Sequence, residues 1–331
     1  MRVLVLTNMY PIPELPHGGT FIEEQVKALR EEGVDVDVLF IHGRGNRLHY
    51  LLGIFRFWAR LLTKRYDLIH AHYVFSGLIA RTQFLYPIVL THHGYEVFMT
   101  WQRHPCRMIT PLVDKVIVVS KEQKEKLKCD KAEVIPCGID LDLFRPVPRD
   151  EARRRLNLNA SDKKLVLVLW AGETSRPEKR YDIVETAVSL AREKDPLIEP
   201  FMVFGKPHDM IPLYMNASDV LLLVSDAEGS PVVIKEAMAC NLPIVSVPVG
   251  DVPDVIGGTD GCFLCSQDPS DVAEKLLMAL NRQKRTNGRE KIKHLDQSVI
   301  AKRIVALYNE VLQHKNGKSG QRDREMVEGR E

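Results

Sequence analysis

Glu228 and Glu236 stand eight positions apart in EGSPVVIKEAMAC (228–240), on either side of a Gly-Ser-Pro step and a short apolar run. Such a run packs in a core, and a core does not accept an unpaired carboxylate without a large desolvation cost. The preceding DVLLLVSD (219–226) reads as a strand, which puts Glu228 in the loop at that strand's carboxyl end. Gly229 allows a sharp turn, Ser230 is a good N-cap, and Pro231 suits the first helical position. The amides of Val232 and Val233 are then free at a helix N-terminus, which favours an anion such as a diphosphate. Glu236 follows about a turn and a half later, roughly 8 Å along the axis. There it can accept hydrogen bonds from sugar hydroxyls while the helix start holds phosphate. The spacing alone also fits a capped helix with two solvated glutamates.

Two other clusters carry chemically active side chains. His70, His72, His92 and His93 sit at two predicted strand ends, DLIHAH (67–72) and PIVLTHHG (87–94). Four histidines there could hold a metal or line a polar cleft. With no carboxylate triad beside them, the cleft reading is preferred and no metal site is assigned. His42, His49 and His208 read as surface residues. Cys262 and Cys265 in GCFLC lack a second pair or histidines at zinc spacing, so they read as part of a buried strand.

The elements that must position these groups alternate between β-branched runs and helical stretches. RVLVLTN (2–8), VDVDVLFI (34–41), DLIHAH, PIVLTHHG, DKVIVVS (114–120) and AEVIPCGID (132–140) are strands of a first series. Thr20 with Glu23 three residues on fits a capping box for the helix after the first strand. A Pro- and charge-rich stretch near residue 145 precedes a second series: LVLVLWAG (165–172), FMVFG (201–205), DVLLLVSD, PIVSVPVG (243–250) and GCFLC. This alternation predicts an α/β fold of two Rossmann-like, doubly wound parallel domains facing a central cleft, with ligands outside the carboxyl ends of the strands. The expected division is 1–147, then 148–297, a helix over 298–315 that crosses back to the first domain, and a disordered tail over 316–331. A chain of 331 residues is long enough for two cores. Its 46 basic and 44 acidic residues leave a net charge of +2, which points away from nucleic acid as a partner. The opening MRVLVLTNMY lacks the regions of a signal peptide, and no apolar stretch approaches the ~18 residues of a membrane span. The expectation is a cytoplasmic enzyme with reduced cysteines.

The motif E-G-S-P-x-x-x-x-E-A-M-A followed by LPIVSVPVG resembles the E-x7-E signature of family 4 (group 1) retaining glycosyltransferases, which have the GT-B fold. GG after the first strand, THHG (91–94), VIPCGIDLDLFRP (134–146), RPEKRYD (176–182) and YMNASDV (214–220) agree in order and spacing over about residues 1 to 315. The resemblance implies that a hexose moves from a nucleotide diphosphate sugar to an acceptor, without a metal or other cofactor. It implies that Glu236 binds ribose hydroxyls and that Glu228 contacts the donor sugar or sits beside the reacting carbon. Arg176 and Lys179 would neutralise the departing diphosphate, where preplaced cations stabilise developing charge. Gly18 and Gly19 would let the first domain's backbone approach the donor, and His93 would hydrogen-bond the transferred sugar. The sequence departs from the family in three places. Thr174 occupies the usual arginine position, so Arg176 or Arg180 must serve instead. Asn241 and Cys137 replace a common glycine and asparagine. A β-α unit that often helps hold the nucleobase is missing between FMVFG and YMNASDV. A nucleotide-sugar 2-epimerase and a non-catalytic nucleotide-sugar-binding protein remain as alternatives.

RGNRLHYLLGIFRFWARLLTKRY (44–66) repeats Leu48, Leu51, Leu52, Phe55, Trp58, Leu61 and Leu62 at helical spacing, with arginines and Lys64 between them. It reads as a helix packing its apolar stripe on the sheet. The alternative is a basic amphipathic helix lying on an anionic membrane near a lipid-linked acceptor or polysaccharide precursor.

Overall fold

The computed structural model describes residues 1–13, 18–43, 48–158, 162–170 and 177–328, with side chains excluded at Tyr95, Trp170 and 316–328. The chain forms two compact units, and each is built on its own parallel sheet.

Unit one comprises Met1–Tyr10, Ile22–Ile135 and Ser298–Glu331. Its elements are β1 (Arg2–Thr7), α1 (Thr20–Glu31), β2 (Asp35–Phe40), α2 (Leu48–Thr63), β3 (Leu68–His72) and α3 (Val74–Ala80). They continue with β4 (Ile88–His92), α4 (Tyr95–Phe98), α5 (Thr100–Ile109), β5 (Lys115–Val118), α6 (Lys121–Leu127) and β6 (Glu133–Val134). The strand order is β2-β1-β3-β4-β5-β6, with every pair parallel. Strands buried on both faces lose the alternation that marks a half-exposed strand, and RVLVLT and LIHAH show this continuous burial. Phe57 and Leu61 of α2, Val74 and Ile79 of α3, Cys106 and Ile109 of α5 and Leu127 of α6 share one core with Leu4, Leu6, Ile69 and Leu90. These helices therefore cover one face of the sheet.

Unit two comprises Pro11–Phe21 and Pro136–Gln297. It contains α7 (Arg149–Arg155), β7 (Lys164–Trp170), α8 (Tyr181–Lys194), β8 (Ile198–Phe204), α9 (Ile211–Ala217), β9 (Val220–Leu223) and α10 (Val232–Ala239). Then come β10 (Ile244–Ser246), α11 (Val252–Ile256), β11 (Cys262–Leu264), α12 (Pro269–Asn281) and α13 (Gly288–Lys291). Its strand order is β11-β10-β9-β7-β8, again all parallel. Ile183 and Val188 of α8 and Val272 and Leu276 of α12 share one core with the strands. The chain then returns to unit one through α14 (Gln297–Glu328), where Tyr308 is fully buried. On the opposite sheet face from Leu4 and Ile69, the Tyr308 hydroxyl lies 2.6 Å from His70 Nδ1.

Several local readings change. The units divide between Ile135 and Pro136, whereas the composition shifts near residue 145. The segment expected as a disordered tail continues α14 as far as Glu328. Thr20 lies inside α1. The strand expected over 132–140 reduces to Glu133–Val134, because beyond it the chain passes into unit two.

Candidate active site

Both sheets reverse their strand order beside the first strand of the unit, between β1 and β3 and between β7 and β9. Crevices at such reversals, outside the carboxyl ends of the strands, are where open parallel sheets bind ligands. In unit two, the chain leaving β7 leads to Lys179 and the chain leaving β9 leads to Glu228. The two loops are joined directly. Asp226 N donates to the Glu178 carbonyl at 2.8 Å, and Lys179 Nζ lies 2.5 Å from Glu228 Oε1. Both side chains of this ion pair are about one-fifth exposed, at 24% and 19%. Arg180 is held elsewhere, by Asp182 at 2.9 Å and Asp226 at 3.2 Å. Arg180 thereby ties the start of α8 to Asp226, in the loop after β9. Arg176 and Thr174 lie outside the described residues.

Glu236 is buried, 5% exposed, yet it is not alone in the core. His208 Nε2 stands 3.0 Å from Glu236 Oε1, and the His208 ring packs against Phe144 at 5.3 Å between centroids. The sequence reading of His208 as a surface residue is therefore corrected. After β8 only one turn of 3-10 helix, His208–Met210, precedes α9, and His208 stands at its start. No spacing signal in the sequence links His208 to Glu236, 28 residues apart.

Ser230 does not cap α10. Pro231 is the N-cap residue, without a side-chain cap, and Val232 and Val233 form the first turn. Ser230 Oγ instead donates to Asp251 Oδ2 at 2.7 Å and accepts from Lys235 Nζ at 2.6 Å and from the Cys137 amide at 3.2 Å. Lys235 is fully buried and also reaches Asp251 Oδ2 at 2.8 Å. This lysine-aspartate-serine cluster fixes the start of α10 to the loop after β10. Gly229 does not take a left-handed conformation; that role falls to Gly250, at φ 59°. A Cβ on Gly250 would stand 2.3 Å from the Gly229 carbonyl oxygen, so only glycine allows the two loops to pass.

Gly18 and Gly19 are buried, and Gly19 adopts φ 79°. Their loop, Pro11–Phe21, belongs to unit two rather than to the first domain, as the sequence reading had it.

In unit one, His93 follows β4 and its Nε2 lies 2.8 Å from His72 Nδ1, with the rings stacked at 5.1 Å. Tyr73, in a strained conformation at φ 71°, places its ring 4.9 Å from His93. Glu96 Oε1 accepts from the His93 amide at 3.0 Å and lies 3.6 Å from His92 Nδ1. Burial, reinforced by neighbouring histidines, holds His70 and His93 well below the usual histidine range, and burial lowers His72 to about 3. His93 is thus a neutral ring at neutral pH, suited to hydrogen bonding rather than to charge. Among the described residues no group of three or more His, Cys, Asp or Glu side chains is arranged to hold a metal. Burial pushes the thiols of Cys262 and Cys265 up to about 12, which leaves them protonated and poor ligands.

A family model described as Glycosyltransferase Family 4 matches residues 3–143, and one described as Glycosyl transferases group 1 matches residues 163–282. The chain is 25% identical over 307 residues to the D-inositol 3-phosphate glycosyltransferase of Mycolicibacterium smegmatis, covering 78% of this chain and 70% of that protein. Sucrose-phosphate synthase from Thermosynechococcus elongatus superposes with a TM-score of 0.79 at 21% identity, covering 95% of this chain and all of the other. HepE of Anabaena, solved in complex with UDP, superposes with a TM-score of 0.70 at 17% identity, covering 94% of this chain and 100% of that one.

Proposed function

The chain belongs to the family 4, group 1 glycosyltransferases and has the GT-B fold, and from that premise we propose that it moves a sugar from a nucleoside diphosphate sugar to an acceptor with retention of configuration. The observation that carries this reading is the joining of Lys179, Glu228, the start of α10 and Glu236 at the β7/β9 reversal of unit two. Glu236 takes the ribose hydroxyls, oriented by His208. The first-turn amides of α10 and Lys179 take the diphosphate, since N–H groups there have no acceptor within the helix. Lys179 exchanges Glu228 for the donor's phosphate, which leaves Glu228 facing the sugar. A nucleoside diphosphate donor also accords with the UDP bound to HepE.

The bond from the anomeric carbon to the phosphate oxygen breaks, and the acceptor oxygen bonds to the same face of that carbon. The acceptor's proton passes to the departing phosphate oxygen, and Lys179 stabilises the negative charge that develops there. The cation and the helix amides do the work in this scheme, so transfer is expected to persist in EDTA.

The test supplies nucleotide sugars with and without candidate saccharide acceptors and follows nucleoside diphosphate release. Release only when an acceptor is present, with the donor's anomeric configuration kept in the product, supports transfer. Interconversion of the nucleotide sugar without an acceptor would identify an epimerase instead.

A further inference from the structure

Eleven of the eighteen exposed large apolar side chains among the described residues fall between Leu48 and Leu112. All of them lie on the helices and connections that cover one face of the unit one sheet. The helix α2 shows why. Its inner stripe, Phe57 and Leu61 with Trp58 partly buried, packs into the core as expected. A second apolar stripe remains outside: Leu51 is 56% exposed, Leu52 58%, Phe55 73% and Leu62 83%. The sequence repeat therefore contains two faces, and only one of them has a partner within the described fold.

The neighbouring elements extend this outer face. Tyr50 of α2 meets Phe75 of α3 at 5.3 Å, and Phe75 meets Trp101 of α5 at 6.3 Å. Trp58 Nε1 also donates to Thr82 Oγ1 at 3.2 Å. Along this connected layer Trp101 is 60% exposed, and the loop before β4 presents Phe84 at 79%. An apolar surface of this extent on a folded protein marks a binding face.

Charge selects the partner. The whole chain is nearly balanced, but residues 48–113 contain seven Lys or Arg and only two carboxylates, Asp67 and Glu96. Glu96 is buried beneath the layer, while Arg56 and Arg65 are exposed. Arg60 and Lys64 flank the same helix and share Asp37. Exposed leucines and phenylalanine with unopposed arginines, and no exposed carboxylate on the helices themselves, match an anionic bilayer rather than an acidic or mixed protein surface. No helix among the described residues is long and apolar enough to cross a membrane, so this contact is one of lying on the surface.

We propose that the outer face of α2, α3 and α5 docks on an anionic phospholipid surface, with Phe55, Leu62 and Trp101 entering the interface and Arg56 and Arg65 at the headgroups. On the transferase reading above, this docking restricts the acceptor to one displayed at that surface, a lipid-linked saccharide. The docking itself is measured without any nucleotide sugar, so its failure and the failure of the transferase reading are distinguishable.

The test uses the full chain with phosphatidylcholine vesicles prepared with and without phosphatidylglycerol. The protein should co-sediment with the anionic vesicles, and Trp emission should shift to the blue, a shift lost in Trp101→Phe. Phe55→Ser with Leu62→Ser, and separately Arg56→Glu with Arg65→Glu, should each weaken binding by about tenfold or more, with the thermal melt unchanged. The charge variant should also remove most of the dependence on salt. Absence of binding to anionic vesicles, or equal binding by both double variants and the wild type, would overturn the proposal. So would a stable dimer that the apolar double variant dissolves, since the face would then join two copies of the chain.

Discussion

Lys179 and Lys235 both belong to unit two and both hold a carboxylate, but they do different work. Lys179 is partly exposed, on a carboxylate that a diphosphate can replace, so its charge is available to a leaving group. Lys179→Ala is expected to lower kcat/KM by about 100- to 1,000-fold, and Lys179→Arg to restore part of that loss. An unchanged kcat/KM in Lys179→Ala would remove the lysine from the chemistry. Lys235 is fully enclosed, and its charge is used up on Asp251 and Ser230. Lys235→Met leaves Asp251 buried without its cation and should cost about 3–5 kcal/mol in urea unfolding. Combined with Asp251→Asn it should cost much less, because the uncompensated charge is gone. Losses that simply add would show that the two residues are not coupled. Ser230 illustrates what a local reading misses. Its neighbours suggested a cap, but its partner Asp251 lies 21 residues away, where spacing rules have no reach.

At the scale of elements, the ends of β3 and β4 carry a group of histidines that burial keeps uncharged. Their folded values lie below the ordinary value of about 6.5, so as pH falls below that value the unfolded chain takes up protons that the folded chain does not. Stability is therefore full above that pH and declines as pH falls toward about 3, where His72 at last titrates. Each such histidine steepens the decline by about 1.4 kcal/mol per pH unit. Urea unfolding between pH 7 and pH 5 should show it, with a shallower slope in His72→Asn; an equal slope would place the proton uptake elsewhere. The sequence made the strands and their order of appearance legible, because continuous β-branched runs separated by helical repeats leave little choice in a parallel sheet. The pairing of β8 with β7, the contact of His208 with Glu236 and that of Tyr308 with His70 were not legible. Each depends on a partner distant in the chain, the last of them 238 residues away. The helix α2 was legible as amphipathic, but a repeat of leucines does not reveal that one face is core and the other exposed.

For the molecule as a whole, near-neutral net charge conceals an uneven distribution, with a basic, apolar layer on one unit and the ion pairs of the candidate site on the other. Chelation provides one test at this scale. Transfer measured after dialysis against EDTA should keep its rate, and loss of activity restored by a divalent cation would contradict the role given to Lys179 and the α10 amides. The most direct test of the central claim is calorimetric titration of UDP, GDP and ADP into the wild type and Glu236→Ala. One nucleotide should bind, and the substitution should weaken it by about 10- to 100-fold, as loss of hydrogen bonds to a carboxylate requires. If no nucleotide binds, or if Glu236→Ala binds it as well as the wild type, Glu236 serves only the helix that carries it, and the assignment of the donor site fails.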